Sequence, residues 1–184
     1  MWIVAFLGTK YNQILSYKII GHIMGIFGLA KTLLGGNLAE SFIDNVIRDK
    51  VSPKIGSVVY CEMAFGLAEH SGIYVGNGKI VELSGDGVIR QVSGYDFMDS
   101  KVPTARSIYV SSQNGKAIGS EKVAERALNM LGRQREYNLI LDNCHQFSAG
   151  CLTGDFENAN NFLWMLKHEA EKRWGKLEWR VWDR

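Results

Sequence analysis

A cysteine at the start of a predicted helix is the residue best suited to nucleophilic chemistry. The apolar run 139–141 ends in Asp142 and Asn143, either of which can cap a helix that begins at Cys144. In the first turn of a helix, unpaired N–H groups and the helix dipole favour a negative charge, so they lower the pKa of a thiol. The sequence therefore predicts that Cys144 is a thiolate nucleophile. The alternative is a buried structural thiol.

A histidine and an acidic residue upstream have the chemistry to activate that thiol. His70 begins a segment with the character of a strand, and Asn77-Gly78 is a strong signal for a tight hairpin turn. The return strand brings Glu82 toward the same end of the hairpin as His70. An imidazole there can accept the thiol proton, and a carboxylate can hold the imidazole in the required tautomer. We therefore predict a triad of Cys144, His70 and Glu82. The alternatives are a structural histidine and a solvent-exposed carboxylate.

These motifs together resemble the lecithin:retinol acyltransferase family, which belongs to the permuted papain-like (NlpC-type) thiol superfamily. The resemblance consists of His-x-Gly-Ile-Tyr-Val-Gly-Asn-Gly from His70, a polar residue twelve positions after that histidine, and Asn-Cys-x-x-Phe at 143–147. Further similarity at Pro53–Val59, Tyr137–Leu139 and Cys151–Gly154 extends it over roughly residues 53–154.

Two positions depart from the usual pattern of that family. Glu82 stands where the animal members usually have histidine, and His145 stands where glutamate is common. Because glutamate can also orient an imidazole, the predicted triad is retained. On a helix, His145 would point about 100° away from Cys144, so we expect it to be a poor base for the thiol. With Tyr74 and Asn143, His145 is instead predicted to bind substrate.

The resemblance implies an α+β fold of the circularly permuted papain-like (NlpC-type) kind. An antiparallel sheet would pack against the helix that carries the cysteine, with additional helices at both ends of the chain. The implied chemistry is covalent catalysis, in which the thiolate attacks a lipid acyl ester and backbone N–H groups near Cys144 bind the oxyanion. The thioester would then pass to water or to an acceptor amine or alcohol.

Alternative functions remain open at this point. The same thiol chemistry would serve a cysteine peptidase or amidase acting on protein or peptidoglycan, including one used as a secreted effector or toxin. A non-catalytic binding module with a vestigial motif is a further alternative. The substrate class, a glycerophospholipid or another long-chain acyl compound, is implied by the resemblance alone.

The composition indicates an ordered globular chain. It has 184 residues, of which 46% are hydrophobic and 22% charged. A formal net charge of +2 is too small to indicate a nucleic-acid partner. Three cysteines do not make a disulfide framework, and an odd number fits a reducing compartment. The histidines and cysteines lack the spacing of metal ligands, so neither a metal nor a cofactor is expected. The oligomeric state is left open.

The chain is predicted to form one domain in three parts. Residues 1–52 form a helical region packed on a catalytic core at 53–154, and residues 155–184 add a helix and a short strand. The most apolar segment, Ile19–Leu34, is interpreted either as a buried helix or as a lipid-facing helix that gives peripheral membrane contact. It is shorter than the ~20 residues that span a bilayer. Within the core, Tyr95–Ser100 is predicted to be an aromatic loop, and Ser111–Gly119 a flexible polar loop.

The N-terminal residues lack the pattern of a Sec signal peptide, since no basic residue precedes the apolar stretch 1–7 and no clean cleavage site follows it. We therefore expect a cytoplasmic or peripheral membrane protein. Export by a specialised secretion system is the alternative.

Overall fold

A computed structural model describes residues 50–63, 68–98, 107–135 and 143–184 of the chain. In these ranges the fold is α+β, with a seven-stranded antiparallel sheet and four helices. The predicted N-terminal helical region, including Ile19–Leu34, lies outside the described residues. The strands are β1 (Val58–Met63), β2 (Ala68–Gly76), β3 (Lys79–Leu83), β4 (Ile89–Ser93), β5 (Ile108–Gln113), β6 (Lys116–Ala117) and β7 (Glu178–Val181). The helices are α1 (Gly94–Met98), α2 (Glu121–Leu128), α3 (Cys144–Thr153) and α4 (Leu163–Trp174).

The sheet is organised around the hairpin that the sequence predicts. Its strand order is β4-β3-β2-β1-β5-β6, and β7 also pairs with β5. The turn at Asn77-Gly78 is confirmed, with φ values of 50° and 71°. Both values lie in the left-handed region that a two-residue hairpin turn requires. This turn fixes the register between β2 and β3, and therefore the relative positions of the side chains on the two strands.

The two faces of the sheet contact different sets of apolar side chains. On one face, Ile73 of β2 packs in the larger core, to which α2, α3 and α4 contribute. On the other face, Cys61 and Ile80 form a smaller core with Phe97 of α1. Alternation along β2 places Ser71 and Ile73 on the α3 face and His70 on the α1 face. The large side chains buried in the α3-face core include Phe147, Leu152, Leu166, Val58 and Leu83.

The pairing of β2 with β3 stops close to His70. β2 pairs with β1 as far as Ala68, but its pairing with β3 reaches only Gly72, opposite Glu82. A Cβ on Gly72 would lie 2.7 Å from Ile80 Cγ2 and 2.8 Å from the Val81 carbonyl oxygen. Glycine at this position therefore lets β3 approach closely enough for Glu82 to reach the histidine side chain.

Both predicted loops within the core are wrong. Ser111–Gly119 continues β5 to Gln113, turns at Asn114-Gly115 and pairs again through β6. The φ values of the turn, 50° and 77°, show the same Asn-Gly turn chemistry as the first hairpin. Tyr95–Met98 forms most of the short helix α1, and the Phe97 side chain is fully buried.

The C-terminal part carries a helix and a strand. The helix begins at Leu163 and ends at Trp174, and β7 pairs antiparallel with β5. The described residues all belong to one compact unit, Asn45–Arg184, and the predicted division at 53–154 stays a prediction. In the part of the chain that the structure describes, no helix is both long and apolar enough to cross a membrane.

Candidate active site

Asn143 determines where the cysteine-bearing helix begins. Its backbone is extended, and its side-chain oxygen accepts hydrogen bonds from the N–H groups of His145 (2.9 Å) and Gln146 (3.2 Å). The predicted N-cap is therefore confirmed at Asn143, and Cys144 is the first residue of α3. The Asn143 amide nitrogen donates to the Asn161 carbonyl at 2.7 Å. Both ends of this buried side chain are therefore engaged within the fold, and the predicted contact of Asn143 with substrate stays a prediction.

The Cys144 thiol is buried between α3 and the start of β2. Only 3% of the residue is exposed. The sulfur lies 4.0 Å from the Glu69 carbonyl oxygen and 4.0 Å from His145 Nδ1. The His70 imidazole is also close enough to lower the pKa of this thiol. The sulfur therefore has an imidazole from β2 and another from its own helix as neighbours.

His70 and Glu82 form a buried ion pair on the α1 face of the sheet. His70 Nε2 donates to Glu82 Oε2 at 2.8 Å, and the ring packs on Phe97 with centroids 4.7 Å apart. Arg90 Nε donates to the other carboxylate oxygen at 2.9 Å. Since Nε2 is engaged by Glu82, Nδ1 is the ring nitrogen available to the Cys144 thiol. The structure thus brings together the three residues that the sequence analysis assigned to a triad.

The electrostatics of this group favour a thiolate and an imidazolium. Burial opposes ionisation of Cys144, but the charges of His145 and His70 and their hydrogen bonds hold its pKa well below the usual value. Burial also opposes protonation of His70. The negative charge of Cys144 and the hydrogen bond that the ring donates to Glu82 nevertheless raise the pKa of His70 to about 10. The two shifts favour the form in which the proton resides on His70 and Cys144 is a thiolate, which is the nucleophilic form of a thiol.

His145 lies closer to the thiol than its helical spacing suggests. Its side chain does not point away from Cys144, because Nδ1 lies 2.9 Å from Ser71 Oγ and 4.0 Å from the sulfur. The expectation that His145 does not face Cys144 is wrong. Its position in the buried first turn, with only 5% of the residue exposed, places it next to the nucleophile.

Tyr74 is not brought to this site. Its hydroxyl accepts a hydrogen bond from the Gly78 N–H at 3.2 Å, and its ring contacts Trp182 edge-on at 5.2 Å. Four residues along a strand separate it from His70, which corresponds to about 13 Å. These contacts give Tyr74 a structural role in the β2–β3 hairpin, and its predicted contact with substrate stays a prediction.

Sequence reasoning missed three side chains at the site. Arg90 lies directly opposite Glu82 in the register of β3 and β4. The predicted pairing of these two strands could therefore have identified it from the sequence. Phe97 was missed because the short helix that carries it, α1, was predicted to be a loop. Ser71 gave no signal, because its contacts with Cys144 and Ser148 depend on how α3 crosses the sheet.

Among the described residues, no group of three or more His, Cys, Asp or Glu side chains could hold a metal ion. Cys61, Cys144 and Cys151 are all free thiols.

Comparison with known proteins agrees with this arrangement. A family model described as lecithin retinol acyltransferase matches residues 51–157, which is more than half of the chain. The matched range includes the strand that carries His70 and the helix that begins at Cys144. It indicates a thiol-dependent acyltransferase or hydrolase type of activity. No curated protein matches the chain.

Proposed function

Because the chain belongs to the lecithin retinol acyltransferase family, we propose that it transfers or hydrolyses the acyl group of a lipid ester through a thioester on Cys144. The observation that carries this proposal is the buried pair of His70 Nε2 and Glu82 Oε2, 2.8 Å apart, whose imidazole lowers the pKa of the Cys144 thiol. A thiol, an imidazole and an orienting carboxylate in this order are the parts that covalent acyl transfer requires.

In the proposed first step, the Cys144 thiolate attacks the ester carbonyl and forms a C–S bond. The C–O bond then breaks, and the leaving alkoxide takes the proton from His70. In the second step, neutral His70 removes a proton from water or from an acceptor alcohol or amine, which attacks the thioester. The thiolate and the imidazolium are restored, so each cycle returns the site to its starting protonation state. Glu82 holds the His70 ring in place throughout.

The start of α3 supplies the proposed oxyanion donor. Asn143 engages the N–H groups of His145 and Gln146, and its backbone carbonyl accepts from the Phe147 N–H. Among the described residues, the Cys144 N–H has no acceptor. This N–H belongs to the positive end of the helix, where it would stabilise the charge that develops on the carbonyl oxygen.

The detailed fold type, the acyl donor and the membrane contact also belong to this proposal. The fold is assigned as circularly permuted papain-like, and the acyl donor as a glycerophospholipid, because these are properties of the family that the match identifies. The predicted lipid contact of Ile19–Leu34 is retained as part of the proposed peripheral association with membranes.

The test is intact-mass spectrometry of the full chain after incubation with phosphatidylcholine and phosphatidylethanolamine micelles. We expect a fatty-acyl mass increase on the wild-type protein that hydroxylamine removes, since this reagent cleaves thioesters. Cys144→Ala should acquire no adduct, whereas Cys151→Ala should acquire as much as the wild type.

Two other outcomes would change the proposed substrate class or exclude the proposed nucleophile. If no adduct and no lipid turnover are found while Cys144 is still alkylated much faster than the other cysteines, the thiol site acts on another acyl compound. Peptide and peptidoglycan amides are then the substrates to test. An adduct of equal size on Cys144→Ala would exclude Cys144 as the nucleophile.

A further inference from the structure

The hydroxyl of Ser71 determines which tautomer His145 adopts. Ser71 Oγ is 3.0 Å from the Cys144 carbonyl oxygen, 3.1 Å from Ser148 Oγ and 2.9 Å from His145 Nδ1. A carbonyl oxygen can only accept, so the single hydroxyl proton of Ser71 is donated to it. The two lone pairs of Ser71 are then filled by donors, which are the Ser148 hydroxyl and the Nδ1–H of His145.

The same nitrogen is 4.0 Å from Cys144 Sγ, so its single N–H is shared between Ser71 Oγ, the nearer acceptor, and the sulfur, the more distant one. Ser71 and Ser148 are fully buried and His145 is nearly so, so the fold holds the ring in this orientation. The proton therefore stays on the nitrogen that is close to the sulfur. A donor held in this position within a buried site stabilises a thiolate and does not compete for its proton.

We propose that His145 is a second imidazole that stabilises the Cys144 thiolate, as a hydrogen-bond donor through Nδ1, and that Ser71 is the positioning residue that fixes its tautomer. This rests on the proposed function in requiring a reactive thiolate at Cys144. His70 keeps the role of proton carrier, while His145 contributes a donor that stays protonated at Nδ1 through the cycle. The function proposed above assigns no part to either His145 or Ser71.

The other titratable groups that interact with the thiol come from two strands, His70 on β2 and Cys61 on β1. Glu82 on β3 binds His70, and Arg90 on β4 binds Glu82. Each of them is unchanged by substitutions at 71 or 145. A shift in the titration of Cys144 in such variants therefore reports on the network of Ser71 and His145.

The experiment measures the rate of Cys144 alkylation by iodoacetamide as a function of pH, resolved by peptide mass spectrometry on the full chain. His145→Leu removes the donor, and we expect the inflection of the Cys144 profile to rise by about one to two pH units. His145→Asn places an amide N–H near the position of Nδ1, and it should recover part of that shift.

Ser71 is tested by a double-substitution cycle. Ser71→Ala should raise the inflection in the wild-type background but have no further effect in His145→Leu, because its influence passes through the His145 ring. Ser148→Ala removes a hydroxyl that contacts Ser71 and not His145, and it serves as the matched control with an unchanged inflection.

Three results would overturn the inference: an unshifted profile in His145→Leu, the same shift in His145→Asn as in His145→Leu, or an equal effect of Ser71→Ala in both backgrounds. Alkylation needs no acyl substrate, so failure of the lipid assignment leaves this test intact. If wild-type Cys144 itself titrates near the ordinary cysteine value of about 8.5, both this inference and the proposed thiolate mechanism fail together.

Discussion

The three cysteines are almost equally buried, yet their thiols are in opposite electrostatic settings. Cys61, Cys144 and Cys151 expose 0%, 3% and 0% of their surface. Burial raises the pKa of Cys61 to about 12, and the negative charges of Cys144 and Glu82 add to that increase. Burial also raises the pKa of Cys151. Only at Cys144 do neighbouring imidazoles outweigh the burial effect and lower the pKa.

Cys144 and Cys151 lie on the same helix, so the helix itself does not explain the difference. Cys151 has a cation nearby, since the Arg126 guanidinium donates to its carbonyl oxygen at 3.0 Å, but that charge only partly opposes the effect of burial. Cys144 lies in the first turn, where two imidazoles approach the sulfur. The comparison shows that a reactive thiol depends on donors aimed at the sulfur, in addition to a favourable position on a helix.

The largest effect expected from this comparison is in alkylation. At pH 7, iodoacetamide should modify Cys144 at least about 100-fold faster than Cys61 or Cys151, because only the thiolate reacts and, of the three cysteines, only Cys144 has a lowered pKa. Peptide mass spectrometry of a time course gives the three rates. In denaturant the three rates should become similar, which controls for intrinsic reactivity. Similar rates in the folded protein would remove the distinction between the cysteines.

Replacing His70 should make Cys144 more like the other two cysteines. His70→Asn removes the imidazolium, so the pKa of Cys144 should rise and acyl turnover should fall about 10²- to 10⁴-fold. Cys61→Ala is the matched control, since it removes the neighbour that pairs with His70 across β1 and β2 without touching the imidazole. Turnover that survives in His70→Asn would assign proton transfer to another group.

The pH dependence of wild-type turnover follows from the same ion pair. The active form needs Cys144 deprotonated and His70 protonated. Turnover should therefore rise with pH through the lowered pKa of Cys144, stay level across neutral pH, and fall near pH 10 as His70 loses its proton. A profile of kcat/KM between pH 4 and 11 measures both limits. An alkaline limit near the ordinary histidine value of about 6.5 would contradict the raised pKa of His70.

The difference between these cysteines could be predicted from sequence only in part. Asn143 marks the helix start locally, and the Asn-Gly turn fixes the register that brings His70 toward Glu82, so the three residues of the proposed triad could be identified. The position of Tyr74, about 13 Å along the strand from His70, depends on strand geometry that the residue pattern alone does not give. Ser71 was missed because its partners lie more than seventy positions away and depend on helix–sheet packing.

The smallest effects are expected at Glu82 and Arg90, which are linked to the thiol through His70. Glu82→Gln should move the alkaline limit to lower pH, because a neutral amide no longer favours the His70 imidazolium, and should reduce turnover about 10-fold. Arg90→Met is the matched control. The Arg90 side chain is 49% exposed, and exposed ion pairs contribute only about 0–1 kcal/mol. Its turnover should therefore fall less than about 3-fold, with the limit almost unmoved. Equal losses in the two variants would show that the effect of Glu82 on turnover depends on its ion pair with Arg90, which would contradict this prediction.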